Sequence, residues 1–338
     1  MRKLLVCVAD HPTLTLSLCV LAAFLLLNVL AYRHAWSMTH FISVSGPLRN
    51  NGRSHSALPA RSLLDRLQLA FRGVAIPRPG EDARPDSLKL TYEHHEYAGG
   101  MGQLAAWHIS RARARGTVVL FHGYSASKSH LLAEARIFHD LGYACFLVDF
   151  RGNGGSEGNG TSIGYHEAED VERSVAYVRT CWPNEPLILF GHSMGAAAVL
   201  RAVCHHGVEA NAVVLESPFD RLLSTVQARF VERGLPTFPA ARLLVFWGSV
   251  QLGYNGFAHN PVDYARQVKC PALLLHGTSD PHVSQAAVEA IHRNLTGEKE
   301  LHFFEGIGHG SIAALRPEEW TERVGGFLSR HVPCGART

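Results

Sequence analysis

PLILFGHSMGAAAVLRAV, residues 186–203, joins a short apolar run directly to a helix-forming one. Leu187–Phe190 is a continuous apolar stretch of strand length, as a strand covered on both faces requires. The alanine-rich run from Met194 favours helix. Between them lies Gly191-His192-Ser193-Met194-Gly195, a turn tight enough to carry a strand straight into a helix with Ser193 at its tip. Gly191 and Gly195 flank that tip because neighbouring backbone passes too close there for side chains. The helix N-terminus behind Ser193 offers N–H groups and a positive dipole end to an oxyanion forming on a carbonyl attacked by that serine. A G-x-S-x-G pattern alone recurs by chance; the strand before it and the helix after it give it meaning.

Outward from this turn, short apolar runs alternate with helix-length periodic segments. The pattern predicts strands at Leu88–Tyr92, Leu104–Ile109, Thr117–Phe121, Ala144–Phe150, Leu187–Phe190, Ala212–Glu216, Ala272–His276 and Leu301–Phe304. Helices are expected at Lys128–Leu141, Gly164–Cys181, Met194–His205, Gln285–Asn294 and Glu318–His331. Such alternation means βαβ units around a mostly parallel sheet with helices on both faces, an α/β fold. Ser217–Gln267 breaks the rhythm with an insertion rich in Leu, Phe, Pro and Trp. Loops that long are functional more often than not, and a helical cap over the strand ends, at about residues 218–267, is expected.

A serine hydroxyl is a poor nucleophile at neutral pH and needs a base. His309, in Gly306-Ile307-Gly308-His309-Gly310 after the last strand, is the candidate, because a loop there can swing over the carboxyl edge of the sheet. The base needs a carboxylate to fix its tautomer and stabilise the imidazolium. Asp280, in the loop Gly277–His282 and stiffened by Pro281, is the expected partner; Glu216 and Asp220 are the rivals. The second oxyanion donor should come from the loop His122-Gly123-Tyr124-Ser125, with the backbone N–H of Tyr124 pairing with that of Met194. His122 is expected to brace that loop, and Asp149 and Arg151 to be structural.

HGY, DFRGNGGS, GHSMG, the Asp280 loop and GIGHG together resemble the α/β-hydrolase superfamily, most nearly its serine aminopeptidase S33 and monoacylglycerol-lipase-like group, over about Leu88–His331. The resemblance implies an eight-stranded sheet, a two-donor oxyanion hole, an acyl-enzyme intermediate, and neither cofactor nor metal. It also implies the chain order Ser193, Asp280, His309. The motifs mark the superfamily and say little about substrate.

The rest of the sequence bounds the answer. Thr13–Tyr32 carries no charge over about 20 residues, the length that spans a bilayer core as a helix. Residues 1–35 are therefore read as an uncleaved membrane anchor, a poor cleavage site standing against a signal peptide. Arg2 and Lys3 before the segment favour a cytoplasmic N-terminus with the catalytic domain on the far side, while Arg33, Arg49 and Arg53 pull the other way. Residues 36–85 read as a linker containing a short amphipathic helix at Arg61–Phe71, and residues 86–338 as the catalytic domain. Net charge is +3 with no basic run interleaved with aromatics, which excludes nucleic-acid binding. Seven scattered cysteines lack metal-ligand spacing; free thiols are expected, with a Cys181–Cys204 disulfide the alternative if the domain is exported.

Two functions share this machinery. One is hydrolysis of carboxylic esters or thioesters, with the apolar cap and the anchor pointing to an acyl or lipid-like small molecule. The other is peptide cleavage, for which Glu216 and Asp220 would help form a pocket for a charged substrate terminus. A scaffold without catalysis is the reading that an intact set of Ser193, Asp280 and His309 opposes.

Overall fold

The computed structural model describes residues 12–42 and 75–332. The segment Arg61–Phe71, with Cys7 and Cys334, lies outside the described residues. In chain order the principal elements begin with α1 (Pro12–Thr39), β1 (Glu93–Ala98), β2 (Gln103–Ile109), β3 (Thr117–Phe121), α2 (Leu132–Asp140) and β4 (Ala144–Val148). They continue with α3 (Glu167–Cys181), β5 (Leu187–His192), α4 (Met194–His206), β6 (Ala212–Glu216), α5 (Leu222–Glu232) and α6 (Ala240–Leu252). The chain closes with α7 (Pro261–Tyr264), β7 (Ala272–Gly277), α8 (Gln285–Asn294), β8 (Lys299–Phe304), α9 (Ile312–Leu315) and α10 (Pro317–His331).

The eight strands form one sheet in the order β1-β2-β4-β3-β5-β6-β7-β8. β2 runs antiparallel to both its neighbours; every other pair is parallel. The inner strands β3, β4, β6 and β7 are buried at every residue, so each apolar run is covered from both sides. One core lies under α3, α4 and α8, with Phe146, Leu189, Leu215 and Val288. The other lies under α2 and α10, where Phe138, Phe190 and Trp320 pack edge to face.

The first strand departs from expectation. Leu88–Tyr92 forms no strand: Pro85–Leu88 is a 3₁₀ turn that ends on Lys89 in the left-handed region at φ 58°. Pro85 presets that turn, and pairing begins only at Glu93. The polar sequence EHHEYA obscured the strand because it lies at the sheet edge, with only Tyr97 fully buried.

The insertion between β6 and β7 holds α5, α6 and the short α7. Helix α1 is long and apolar enough to cross a membrane, and most of its surface is uncovered. Where it is covered, it packs along α6: Trp247 Nε1 donates to Asn28 Oδ1 at 3.1 Å, Gln251 Nε2 donates to the Tyr32 carbonyl at 2.8 Å, and the rings of Tyr32 and Trp247 meet edge-on at 5.5 Å. Its last turn is tied to the catalytic loops. The Thr161 amide donates to the Thr39 carbonyl, the Phe41 amide to the Asn159 carbonyl, and the Tyr124 hydroxyl to the Met38 carbonyl at 2.6 Å. The described cysteines, Cys19, Cys145, Cys181, Cys204 and Cys270, are all free thiols.

Candidate active site

Ser193 stands between β5 and α4 at φ 53°, ψ −110°, a backbone conformation that a side chain-bearing residue adopts only when its surroundings force it. The force is the close packing of the turn. A Cβ on Gly191 would meet the Ala196 nitrogen at 2.6 Å, and one on Gly195 would meet the Phe121 carbonyl oxygen at 2.3 Å. The Ser193 amide is held by the Glu216 carbonyl at 2.8 Å, which fixes the turn to β6. Ser193 remains partly exposed.

His309 reaches the serine from the loop after β8. Its Nε2 lies 2.9 Å from Ser193 Oγ and its Nδ1 lies 2.6 Å from Asp280 Oδ2. Asp280 sits in the loop after β7, its side chain buried. The other carboxylate oxygen accepts the amides of His282 at 2.8 Å and Val283 at 3.0 Å. Burial on its own would raise the Asp280 pKa, but the hydrogen bond and charge of His309 and the two amides outweigh it, and the carboxyl is held at about 2. Three more histidines surround His309. His192 and His282 have rings 5.4 and 5.0 Å from it, and burial pushes them down to about 3 and about 4. His276, fully buried, places Nδ1 3.2 Å from Ser217 Oγ and 3.8 Å from Asp280 Oδ2, and burial lowers its pKa too. All three stay neutral at pH 7, so they add no charge that would oppose protonation of His309.

The loop after β3 lies against the serine: a Cβ on Gly123 would fall 2.9 Å from His192 Nδ1 and 3.5 Å from Ser193 Cβ. Buried His122 spans that loop, its Nε2 accepting the Phe150 amide at 3.1 Å and its Nδ1 facing the Gly123 carbonyl at 2.8 Å. Helix α4 opens immediately after Ser193, so the amide of Met194 has no preceding helical carbonyl to bond. The Tyr124 and Met194 amides therefore belong to the two loops that meet at the serine. Next to them, Asp149 binds the Lys128 ammonium and accepts the amides of Lys128 at 2.7 Å and Gly155 at 2.8 Å. Arg151 grips both oxygens of Asp170. Glu167 takes the hydroxyls of Thr161 and Ser162 and the amides of Ser162 and Gly164. These buried carboxylates hold the glycine-rich loop that borders the site.

Glu216 is turned away from the site. Its carboxylate is fully buried and accepts the Ile312 amide at 3.1 Å and Trp320 Nε1 at 3.0 Å. Asp220 accepts the Arg221 amide and the Ser224 hydroxyl. Neither has the posture of a group awaiting a substrate terminus. The structure adds residues that the motifs did not single out: His276, the Arg229–His282 pair, Met38 in the last turn of α1 and Phe41 just beyond it. No local pattern marks them, because they reach the site from separate elements.

Comparison with known proteins agrees with this architecture. A family model described as serine aminopeptidase, S33, matches residues 112–245, and one for the dienelactone hydrolase family matches residues 235–324. The esterase Pf2001 of Pyrococcus furiosus is 26% identical and superposes with a TM-score of 0.64, covering 76% of this chain and 97% of that one. The protein YqkD of Bacillus subtilis is 25% identical over 228 residues, 67% of this chain and 75% of its own. The lysophosphatidylserine lipase ABHD12 of Danio rerio is 26% identical over 185 residues, 52% of this chain and 46% of its own. The chain spans about half the length of the lysophosphatidylserine lipases it matches. Fold, motif order and relatives together place the chain in the α/β-hydrolase superfamily. Its class is that of the ester-hydrolysing serine hydrolases.

Proposed function

We propose that the chain is a membrane-anchored hydrolase of acyl esters of lipid-like alcohols, with Ser193 as nucleophile, His309 as general base and Asp280 as the acid that orients it. The carrying observation is the unbroken relay from Asp280 through His309 to Ser193, at 2.6 and 2.9 Å. Ser193 Oγ attacks the ester carbonyl carbon while its proton passes to His309 Nε2. The oxyanion is received by the amides of Tyr124 and Met194. Collapse breaks the bond to the alcohol, which leaves with the proton from His309. Water then attacks the acyl-enzyme, gives its proton to His309, and the acid departs as the proton returns to Ser193. Asp280 stays ionised throughout. No step requires a cofactor or a metal.

The membrane anchor and the cap support the lipid-like substrate. Residues 1–35 form the anchor segment and about 218–267 the cap of a catalytic domain that starts near residue 86. Val231, Leu235, Phe238, Phe246 and Val250 are exposed on or between α5 and α6, and α6 is bound to α1. An apolar surface continuous with a membrane helix belongs in lipid, which puts the site beside the headgroup layer. Arg2 and Lys3 favour the non-cytoplasmic side for the catalytic domain, against the pull of Arg33, Arg49 and Arg53. The test is hydrolysis by the detergent-solubilised full chain of monoacylglycerols and p-nitrophenyl esters of graded chain length. The reading requires turnover that rises with acyl length and disappears in Ser193→Ala; turnover retained by that variant would sink it.

A further inference from the structure

Arg229 lies on the cap helix α5 and is half-buried. Its Nη1 donates to His282 Nε2 at 2.7 Å. Because that nitrogen accepts, the His282 proton sits on Nδ1, which faces Glu232 Oε2 at 3.5 Å. The His282 ring is the one that stands 5.0 Å from His309. The charged and titratable groups around the guanidinium are Glu232, Arg233, Tyr124 and Asp280. Among the described residues, no carboxylate oxygen comes within 4.0 Å of Arg229 and no acceptor other than His282 takes one of its five N–H donors. Its uncommitted donors are not among the buried polar atoms, so they are open to solvent and free to meet an incoming anion. We propose that Arg229, braced by His282, receives a phosphate or carboxylate carried by the alcohol half of the ester. The side is set by chemistry: His309 protonates the leaving alcohol, so that half of the substrate lies under His309, toward His282 and Arg229. Burial lowers the pKa of Arg229, in keeping with a guanidinium held partly out of water.

This proposal rests on the ester-hydrolase reading and names a specificity determinant within it. The experiment compares 1-palmitoylglycerol with 1-palmitoylglycerol 3-phosphate on the full chain in neutral detergent. Wild type should favour the phosphorylated ester. Arg229→Gln should lower the ratio of kcat/KM, phosphorylated over neutral, by about 10- to 100-fold through KM, and Arg229→Lys should restore part of it. Fluorophosphonate labelling of Ser193 in each variant reports that the site is folded. An unchanged ratio in Arg229→Gln, or a wild type indifferent to the phosphate, overturns the anion site and leaves the ester-hydrolase reading standing. Hydrolysis of neither ester with Ser193 unlabelled overturns both.

A separate observation concerns the sheet edge. In the β1–β2 register Glu93 stands opposite His108, and His95 follows Glu93 by two residues on the same face. One donor atom from each of Glu93, His95 and His108 lies within 4.8 Å of the others. His95 Nδ1 bonds the Tyr177 hydroxyl at 2.9 Å, which turns Nε2 toward the cluster, 3.6 Å from Glu93 Oε2. Both His95 Nε2 and His108 Nδ1 are buried without a hydrogen-bond partner among the described residues, and His108 is only 6% exposed. The geometry points to a site for a divalent zinc-like ion held by two imidazoles and one carboxylate, with water completing the shell. Tetrahedral zinc with nitrogen ligands at about 2.0 Å sets ligand separations near ~3.4 Å, which the exposed Glu93 has the rotamer freedom to meet. The second partner of His95, Tyr177, supplies the outer hydrogen bond such ligands use. The test titrates untagged, chelator-stripped full chain with zinc against a chromogenic chelator. One equivalent should bind, weakened about 10- to 100-fold in His108→Ala and also in Glu93→Gln, whose exposed position spares the fold. No bound equivalent, or binding untouched by both substitutions, overturns the site.

Discussion

At the scale of single residues, the orientation of His309 depends on how Asp280 divides its two oxygens. One accepts two backbone amides and the other receives His309 Nδ1. Asp280→Asn would keep the first role with its carbonyl oxygen and present an NH₂ group to His309. Two donors cannot face each other, so the imidazole would turn to the tautomer that cannot accept the serine proton. The expected outcome is a loss of about 10⁴-fold in kcat with KM and melting temperature nearly unchanged, read from steady-state kinetics and a thermal melt. Arg151→Ala belongs to the same scale with the opposite signature. It strands Asp170, buried in the first turn of α3, without its bidentate partner, and about 3–5 kcal/mol of stability should be lost in denaturant titration. The meeting of Ser193, Asp280 and His309 could be expected from sequence because each follows a strand that the apolar pattern identifies, so their loops share one sheet edge. Arg229 could not, since nothing in SerThrValGlnAlaArg distinguishes an arginine that meets His282 across space from one that faces water.

Among the elements, the parallel strands were legible because burial on both faces writes a continuous apolar run, and the helices because their apolar faces recur at helical spacing. β1 was not, because an edge strand buries one face and EHHEYA carries polar groups on the other. The same EHHEYA stretch then holds the histidine cluster, whose members meet through cross-strand register rather than along the sequence. The docking of α1 on α6 was also hidden: an all-round apolar segment reads as a lipid-facing span, with no sign of which side a partner takes. That contact yields a prediction for the cap. Trp247→Ala removes the hydrogen bond to Asn28 and the ring contact with Tyr32, and should make the α5–α6 segment more sensitive to limited proteolysis. Digestion of wild type and variant in the same detergent checks it; equal rates would separate the cap from the anchor.

For the whole molecule, buried ionisable groups set how stability follows pH. Burial holds His122 and His259 at about 4 and His192 at about 3, against 6.5 for a free histidine. Their folded values lie below the unfolded value, so acidification from pH 6.5 toward 4 protonates the unfolded chain alone and stability falls. Asp280, held at about 2, loses its contribution later, as pH drops from about 4 toward 2. Burial raises Glu216 to about 8, with repulsion from Glu134 adding to it, and raises Glu134 to about 7, above the ordinary 4.5. Those two carboxyls favour the protonated fold, so stability falls as pH climbs from about 4.5, where the unfolded chain ionises, to about 7 and 8, where the folded groups do. The histidines outnumber the coupled carboxyls on the acid side, which puts the optimum between about pH 6 and 7. Thermal melts of the full chain from pH 4 to 9 should trace that maximum; a midpoint still rising at pH 8 would contradict the protonated buried pair.

The most direct test of the central claim is labelling of the detergent-solubilised chain with a fluorophosphonate probe, which reacts only with a serine activated by its base. Wild type should be labelled on Ser193, and Ser193→Ala and His309→Ala should not be labelled at all. A folded wild type that stays unlabelled, or a Ser193→Ala variant labelled as strongly as wild type, would contradict the account.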